Sequence, residues 1–305
     1  MIYHDTLICY NIWPLFADHC LDFPKEYYIA NGVERLHNVD VFVPDDVKEN
    51  DIVFVKTDFI VSGEFYKTYF PFIKNKFKLI TGNSSYQIGA VGDDSYKFIL
   101  ESEKLLKWFC TNPPEIDNDK IVPIPIGFEE PNRECGNQMI LNKIRNKRKY
   151  FWDRIETNVF LPYHNFSTNP GRKKIYDNLS SLEFVNRQET KQSMVDYLSS
   201  INNHRFVICI EGSGNDLHRI YETLLVGSIP IVSDSSLKKM FEFYDLPCVM
   251  VKDWSELKRY MLEPYIAFSS NIDDKFKSVE TFLYANNYRD LFSKGIWNEN
   301  RSINR

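Results

Sequence analysis

Three polar side chains close together, His218, Arg219 and Glu222, form the stretch of this sequence best suited to chemistry. They follow a turn of small and polar residues, Glu211-Gly212-Ser213-Gly214-Asn215-Asp216. They also head a segment in which Leu217, Ile220, Tyr221, Leu224 and Leu225 recur at helical spacing, and they lie off its apolar face. A helix N-terminus presents unpaired N–H groups and about half a unit of positive charge, which favours phosphate. Arg219 adds a planar fork able to hold two phosphate oxygens. Glu222, one turn on, repels phosphate but can accept hydrogen bonds from paired sugar hydroxyls. Diphosphate at the helix head with ribose one turn further along describes a bound nucleoside diphosphate. Ser213, Gly214, Asn215 and His218 join Arg219 and Glu222 as expected nucleotide-binding residues. The plainer alternative for Arg219 is a surface ion pair with Glu222 at i+3, worth roughly a few tenths of a kcal/mol.

The elements that must position these residues are legible on either side. Phe206 to Ile210 is an apolar run of buried-strand length. Asn215 or Asp216 is the expected N-cap, and Gly227 stands where a left-handed C-terminal glycine belongs. Ile229-Pro230-Ile231-Val232 begins a second buried strand, with Pro230 near its start. A strand–loop–helix–strand unit of this kind requires a parallel sheet.

The run Gly-Asn-Asp-x-His-Arg-x-x-Glu-x-Leu-x-x-Gly-Ser-Ile-Pro-Ile-Val, Gly214 to Val232, resembles the donor-site motif of exostosin-like glycosyltransferases of family 47 and their soluble relatives. The matching positions are Arg219, Glu222, Leu224, Gly227, Ile229 and Pro230. Leu246-Pro247 and Val251-Lys252-Asp253-Trp254 resemble the tail of that motif. Leu79 to Ser84, Lys107-Trp108-Phe109 with Asn112, and Ile124 to Gly127 resemble elements of the same proteins' amino-terminal half. The resemblance implies an α/β fold of the GT-B type, two Rossmann-like domains with parallel sheets facing across a cleft. It also implies a nucleotide-sugar donor, transfer without a metal or other cofactor, and mostly inversion at the anomeric centre. It places Arg172 as a second basic residue near the donor phosphates. The family often has an acidic residue after Thr-Gly-Asn-Ser; here that position is Ser85.

A chain of 305 residues with 43% hydrophobic content supports two domains with real cores. The expected division is 1–155 for an acceptor-side Rossmann-like domain, 156–275 for the nucleotide-sugar domain, and 276–305 for terminal helices that cross back. In the first domain, strands are expected at Thr6 to Tyr10, Ile52 to Val55, Phe77 to Ile80 and Lys120 to Ile126, with helices over Phe16 to Ala30 and Phe98 to Trp108. Asn137 to Arg154 reads as a charged linker, by default a solvated helix face. A net charge of −5 argues against a nucleic-acid partner. The six cysteines include no C-x-x-C pair, so zinc is not expected. No signal-peptide pattern stands at the start and no apolar run approaches ~20 residues, so a cytoplasmic protein without a membrane span is expected.

Competing motifs are weaker. Gly212-x-Gly214 would need its third glycine at Leu217, so the dinucleotide fingerprint fails. Asp117-Asn118-Asp119 has the D-x-D form that metal-dependent transferases use, but short acidic triplets arise readily by chance. An inverting transfer needs a general base. Asp58 is the first choice, because Ile52 to Val55 delivers it to the carboxyl edge of a sheet; Asp93, Asp94, Glu211 and His164 are the reserves. The expected reaction is transfer of a sugar from a UDP-sugar to a hydroxyl of an oligosaccharide or glycoprotein glycan. Two alternatives stand beside it: a nucleotide-sugar-binding protein without catalysis, and a carbohydrate-processing α/β enzyme that uses no nucleotide.

Overall fold

Apolar runs such as Val53-Phe54-Val55 are fully buried, which suits strands covered on both faces. The computed structural model describes residues 6–31, 41–90, 92–154, 158–235, 237–263 and 272–297. The chain divides into two compact units: one gathers the residues up to Ile126 and the stretch beginning at Tyr284, and the other is Gly127–Leu283.

The first unit holds β1 (His19–Leu21), α1 (Lys25–Ala30), β2 (Ile52–Lys56), α2 (Thr57–Val61), β3 (Phe77–Gly82), α3 (Tyr96–Glu101), β4 (Leu105–Cys110) and β5 (Ile121–Pro123). These strands form one parallel sheet in the order β1-β2-β3-β4-β5. Helices α2 and α3 pack on β2 and β4. Three sequence expectations need correction here. Thr6 to Tyr10 is no strand: Leu7 makes an isolated antiparallel bridge to Tyr284. Phe16 to Ala30 contains β1 as well as a helix, with Pro24 capping α1. Phe98 to Trp108 is α3 followed by β4, and Trp108 is a fully buried strand residue whose indole N–H donates to Thr81 Oγ1 at 2.9 Å.

The second unit holds α4 (Gln138–Arg145), β6 (Val159–Leu161), α5 (Gly171–Ser180), β7 (Val185–Arg187), α6 (Met194–Asn203), β8 (Phe206–Ile208), α7 (His218–Leu225), β9 (Ile229–Ser233), α8 (Leu237–Phe243), β10 (Val249–Val251) and α9 (Ile272–Leu283). Its strands are also all parallel, in the order β10-β9-β8-β6-β7. Two parallel five-stranded sheets with helices against them fit the two-domain GT-B arrangement expected from the resemblance.

The stretch Asn137 to Arg154 does not behave as a linker. Helix α4 packs on α6 and α7. Arg154 is 2% exposed, and its guanidinium donates to the carbonyls of Asn202 at 3.1 Å, His204 at 3.0 Å, Lys149 at 3.1 Å and Val226. At its far end the chain rejoins the first unit from Tyr284. There α10 (Tyr288–Lys294) sets Tyr288 against Trp13 at 4.9 Å and Phe292 against Phe109 at 5.0 Å. The tail beyond residue 297 lies outside the described residues.

The β8–α7–β9 unit forms as the sequence suggests, and two of its details have clear causes. Pro230 is tolerated within the sheet because the N–H groups of Ile229 and its alternates face β8, with Ile229 N donating to Arg205 O at 2.8 Å. The imino nitrogen of Pro230 therefore faces the other way, where β10 begins pairing only at Ile231. Gly227 has φ +78° and closes α7 in a Schellman motif, with Ser228 N donating to Thr223 O and Gly227 N to Leu224 O, both at 3.0 Å. A Cβ at Gly227 would lie 3.1 Å from Arg154 Nη2. Gly227→Ala is therefore expected to cost about 1 to 2 kcal/mol in urea unfolding, and an unchanged midpoint would refute this account of the turn.

Candidate functional site

Strand order in the second sheet reverses at β6: the chain runs outward to β7, then returns with β8 on the other side of β6. Open α/β sheets bind ligands beyond the carboxyl ends of strands at such a reversal. The first sheet runs in unbroken order and has no reversal among its described strands. A cavity of about 420 Å³ opens at the switch point, with Tyr163 and Asn165 after β6, Gln188 after β7, and Arg219 and Glu222 of α7 in its wall.

Arg219 is held from three directions. Its Nε donates to the Tyr197 hydroxyl at 3.1 Å, Nη2 to the Tyr163 carbonyl at 2.9 Å, and Nη1 to His164 Nε2. Tyr197 in turn donates to Glu222 Oε2 at 2.8 Å. The plain expectation of a surface Arg219–Glu222 ion pair is replaced by a relay through a phenol. Burial raises the Glu222 carboxyl above its ordinary range, while Arg219 and the Tyr197 hydrogen bond pull it back. Burial opposes the charge on Arg219, and its surroundings, Tyr197 foremost, more than offset this and raise its pKa.

His164 is fully buried, and its Nδ1–H donates to the Pro162 carbonyl at 2.6 Å. The other ring nitrogen is therefore a lone pair, which is what Arg219 needs as an acceptor. Burial, then Arg219 and Arg172, hold its pKa well below the ordinary imidazole value. Among the sequence reserves for a base, His164 is thus committed to orienting Arg219. The sign of its pH effect follows: below an unfolded value of about 6.5 the unfolded chain takes up a proton that the folded protein refuses. Stability is full above that pH and falls below it, by up to about 1.4 kcal/mol per pH unit. His164→Asn should flatten this slope when urea unfolding is compared at neutral and acidic pH; an equally steep slope would mean that another group is responsible.

The other residues of the expected donor set are placed as follows. Arg172, expected from the resemblance as a second basic residue near the donor phosphates, is buried and directs its guanidinium at the protein. Nε donates to Glu211 O at 2.9 Å, Nη2 to Ile210 O at 2.8 Å, and Nη1 to Asn165 O and Thr168 Oγ1, both at 3.0 Å. It clamps the loop after β8 to the loop after β6, and a Cβ at Gly212 would stand 2.8 Å from Arg172 Nη2 and press on this clamp. Burial lowers the Arg172 pKa to about 10, with Arg219 contributing. The cap of α7 is Leu217, without a side-chain hydrogen bond, whereas Asn215 or Asp216 was expected. Asp216 instead accepts from the Tyr221 hydroxyl at 2.6 and 2.7 Å. His218 donates from Nδ1 to Gly127 O at 2.8 Å and faces Glu129 at 3.7 Å. Ser213, Gly214, Asn215 and His218 do not line the cavity; Arg219 and Glu222 do. The wall residues that sequence reasoning missed include Tyr197, Glu134, Cys135, Lys191 and Gln192.

Of the other candidate bases, Glu211 accepts from the Trp254 indole at 3.1 Å, which gives the Asp-Trp tail its place. Asp93 bonds Lys67 at 2.6 Å and the Ser95 N–H at 2.7 Å, and these contacts, Lys67 first, lower its pKa to about 2. Asp94 pairs with Lys97 at 2.8 Å. Asp58 lies in the first turn of α2 at the carboxyl end of β2; its Oδ2 lies 3.1 Å from Lys56 Nζ but has no partner in hydrogen-bond geometry. In the D-x-D triplet, Asn118 Oδ1 accepts from Lys120 N at 2.9 Å and the Asp119 carbonyl from Lys107 at 2.6 Å, a turn leading into β5. No helix among the described residues is long and apolar enough to cross a membrane.

A family model, the RXYLT1 C-terminal domain, matches residues 172–283, from the start of α5 to the end of α9. No curated protein matches the chain significantly. Among solved structures, the chain is similar to a glycosyltransferase from Rickettsia africae ESF-5, at 12% identity over 89% of this chain and 80% of that one, with a TM-score of 0.37. It is also similar to UDP-GlcNAc 2-epimerase from Methanocaldococcus jannaschii, at 11% identity over 71% of this chain and 69% of that one, with a TM-score of 0.30. The family model covers residues 172–283 only; it supports a glycosyltransferase family, a coarser statement than the exostosin-like kinship suggested by the motif, which it does not confirm.

Proposed function

We propose that the protein transfers a sugar from a nucleoside-diphosphate donor, a UDP-sugar, to a hydroxyl of an oligosaccharide or glycoprotein glycan, with inversion and without a metal. The observation that carries this reading is the pair Arg219 and Glu222 on one cavity wall at the switch point of the second sheet. Arg219 uses three of its N–H groups on Tyr197, His164 and Tyr163. A guanidinium has five, so among the described residues one on each terminal nitrogen is left for diphosphate oxygens. Held rigidly, it stabilises the leaving diphosphate without reorganising during reaction. Glu222 accepts hydroxyls through the oxygen that Tyr197 does not use. Asp58 is the proposed base: it stands at the carboxyl end of β2, and its Oδ2, 3.1 Å from Lys56 Nζ, has no hydrogen-bond partner.

A thermal-shift screen against nucleoside diphosphates and their sugars, with and without chelator, tests the donor assignment. Stabilisation by UDP or UDP-sugars that survives chelation is expected, and no shift with any nucleotide would defeat the reading. Asp58→Asn is expected to keep donor binding while lowering turnover by about 100-fold or more, as loss of a general base does. Near-normal turnover in that variant would clear Asp58 of the role.

A further inference from the structure

Arg219 and Glu222 are opposite charges three residues apart on one helix, a spacing at which such side chains ordinarily meet. Among the described residues they do not pair directly. The Tyr197 hydroxyl stands between them, accepting from Arg219 Nε at 3.1 Å and donating to Glu222 Oε2 at 2.8 Å. A guanidinium has no acceptor, so the phenol proton can only point to the carboxylate and the phenol oxygen to the arginine. Tyr197 reaches this place because α6 packs on α7. The Arg219 guanidinium also lies over its ring, 5.8 Å from the centroid.

We infer that Tyr197 is a positioning residue acting as a spacer, which keeps Arg219 and Glu222 from neutralising each other and so leaves the guanidinium for an anion and the carboxylate for hydroxyls. The inference rests on the reading of Arg219 as the diphosphate site. Without the hydroxyl, Tyr163 O and His164 Nε2 still hold the terminal nitrogens of Arg219, but its Nε loses its acceptor and Glu222 loses its donor, so the two charges can close on each other. Glu222 is 6% exposed, and a buried carboxylate without a donor gains strongly by closing on a nearby cation. The resulting pair would turn the guanidinium along the helix and away from the cavity.

Tyr197→Phe keeps the ring and removes only the hydroxyl. Inorganic pyrophosphate is the probe, because it reports on Arg219 without engaging Glu222 through sugar hydroxyls. Titration calorimetry is expected to show Tyr197→Phe binding pyrophosphate roughly tenfold more weakly than the wild type, the equivalent of about 1.4 kcal/mol. Adding Glu222→Gln should restore affinity to near the wild-type value, since the amide lacks the negative charge that would draw the guanidinium across. A double variant as weak as Tyr197→Phe alone, or a Tyr197→Phe protein with unchanged affinity, overturns the spacer. A second measurement needs no ligand: carboxyl titration of Glu222 by carbon NMR. Collapse into a direct ion pair makes Glu222 titrate lower in Tyr197→Phe, whereas mere loss of a hydrogen bond makes it titrate higher. A higher or unchanged value sinks the inference. If the wild type fails to bind pyrophosphate, the diphosphate reading falls, and the carboxyl titration still decides whether Tyr197 separates the two charges.

Discussion

Arg219→Ala is expected to fold normally and to lose about 100-fold in turnover and a comparable factor in affinity for a nucleoside diphosphate, equivalent to about 3 kcal/mol. The size of the effect comes from where the arginine sits. It is half-buried at the wall of a cavity, where a charge acts through less water than at an open surface. Its orientation is set in advance by Tyr197, His164 and Tyr163, so little ordering is left to do on binding. Arg219→Lys tests the same claim differently. An ammonium keeps the charge, but it cannot meet those three acceptors and still present two parallel donors, so a loss of roughly tenfold is expected. Titration calorimetry with UDP, with circular dichroism to confirm folding, decides both. Unchanged affinity in Arg219→Ala removes the donor site from this helix.

The largest expected loss of stability lies elsewhere, at Arg154. Its guanidinium meets the last carbonyls of α6, at Ile201 and Asn202, and the carbonyl of Val226 after α7, as well as the Ser228 hydroxyl at 2.6 Å. Helix C-termini leave carbonyls unpaired and carry partial negative charge, so one buried cation satisfies two of them at once. Arg154→Met fills similar space but leaves several buried acceptors without donors. We expect a cost of about 3 to 5 kcal/mol, seen as a fall in Tm of about 10 °C or more. A Tm within a degree or two of the wild type would show that water reaches these carbonyls and that the network is dispensable.

These two arginines show how far the residues could be read in order. The strand–helix–strand unit around Arg219 was legible because every signal in it is local: helical spacing from Leu217 to Leu225, a glycine at the left-handed position 227, and an apolar strand on each side. Arg154 looked like the end of a solvated basic segment, because charge runs usually are one. Its partners stand up to 74 residues away, as Ser228 does, and no local pattern announces them. The same distance hid Tyr197, which reaches Arg219 from 22 residues upstream. Trp108 was misread for a different reason. Its spacing from Phe98 and Leu105 mimics a helix, and a short, largely apolar run such as Leu105–Cys110 cannot be told from a buried helical segment by periodicity. Arg172 was given to the ligand by likeness of position, but its donors face backbone carbonyls of two loops.

By itself, then, the order of residues determined the α/β class, the parallel unit that carries α7, and the placing of Arg219 and Glu222 one turn apart on that helix, since all of these follow from short-range spacing and side-chain type. Tertiary structure alone decided that the sheet reverses at β6, that α6 brings a phenol between the two charges, and that Arg172 and Arg154 hold the protein's own carbonyls. Those outcomes depend on which distant groups packing brings within about 3 Å of each other, the range in which a hydrogen bond forms, and sequence spacing carries no measure of that distance.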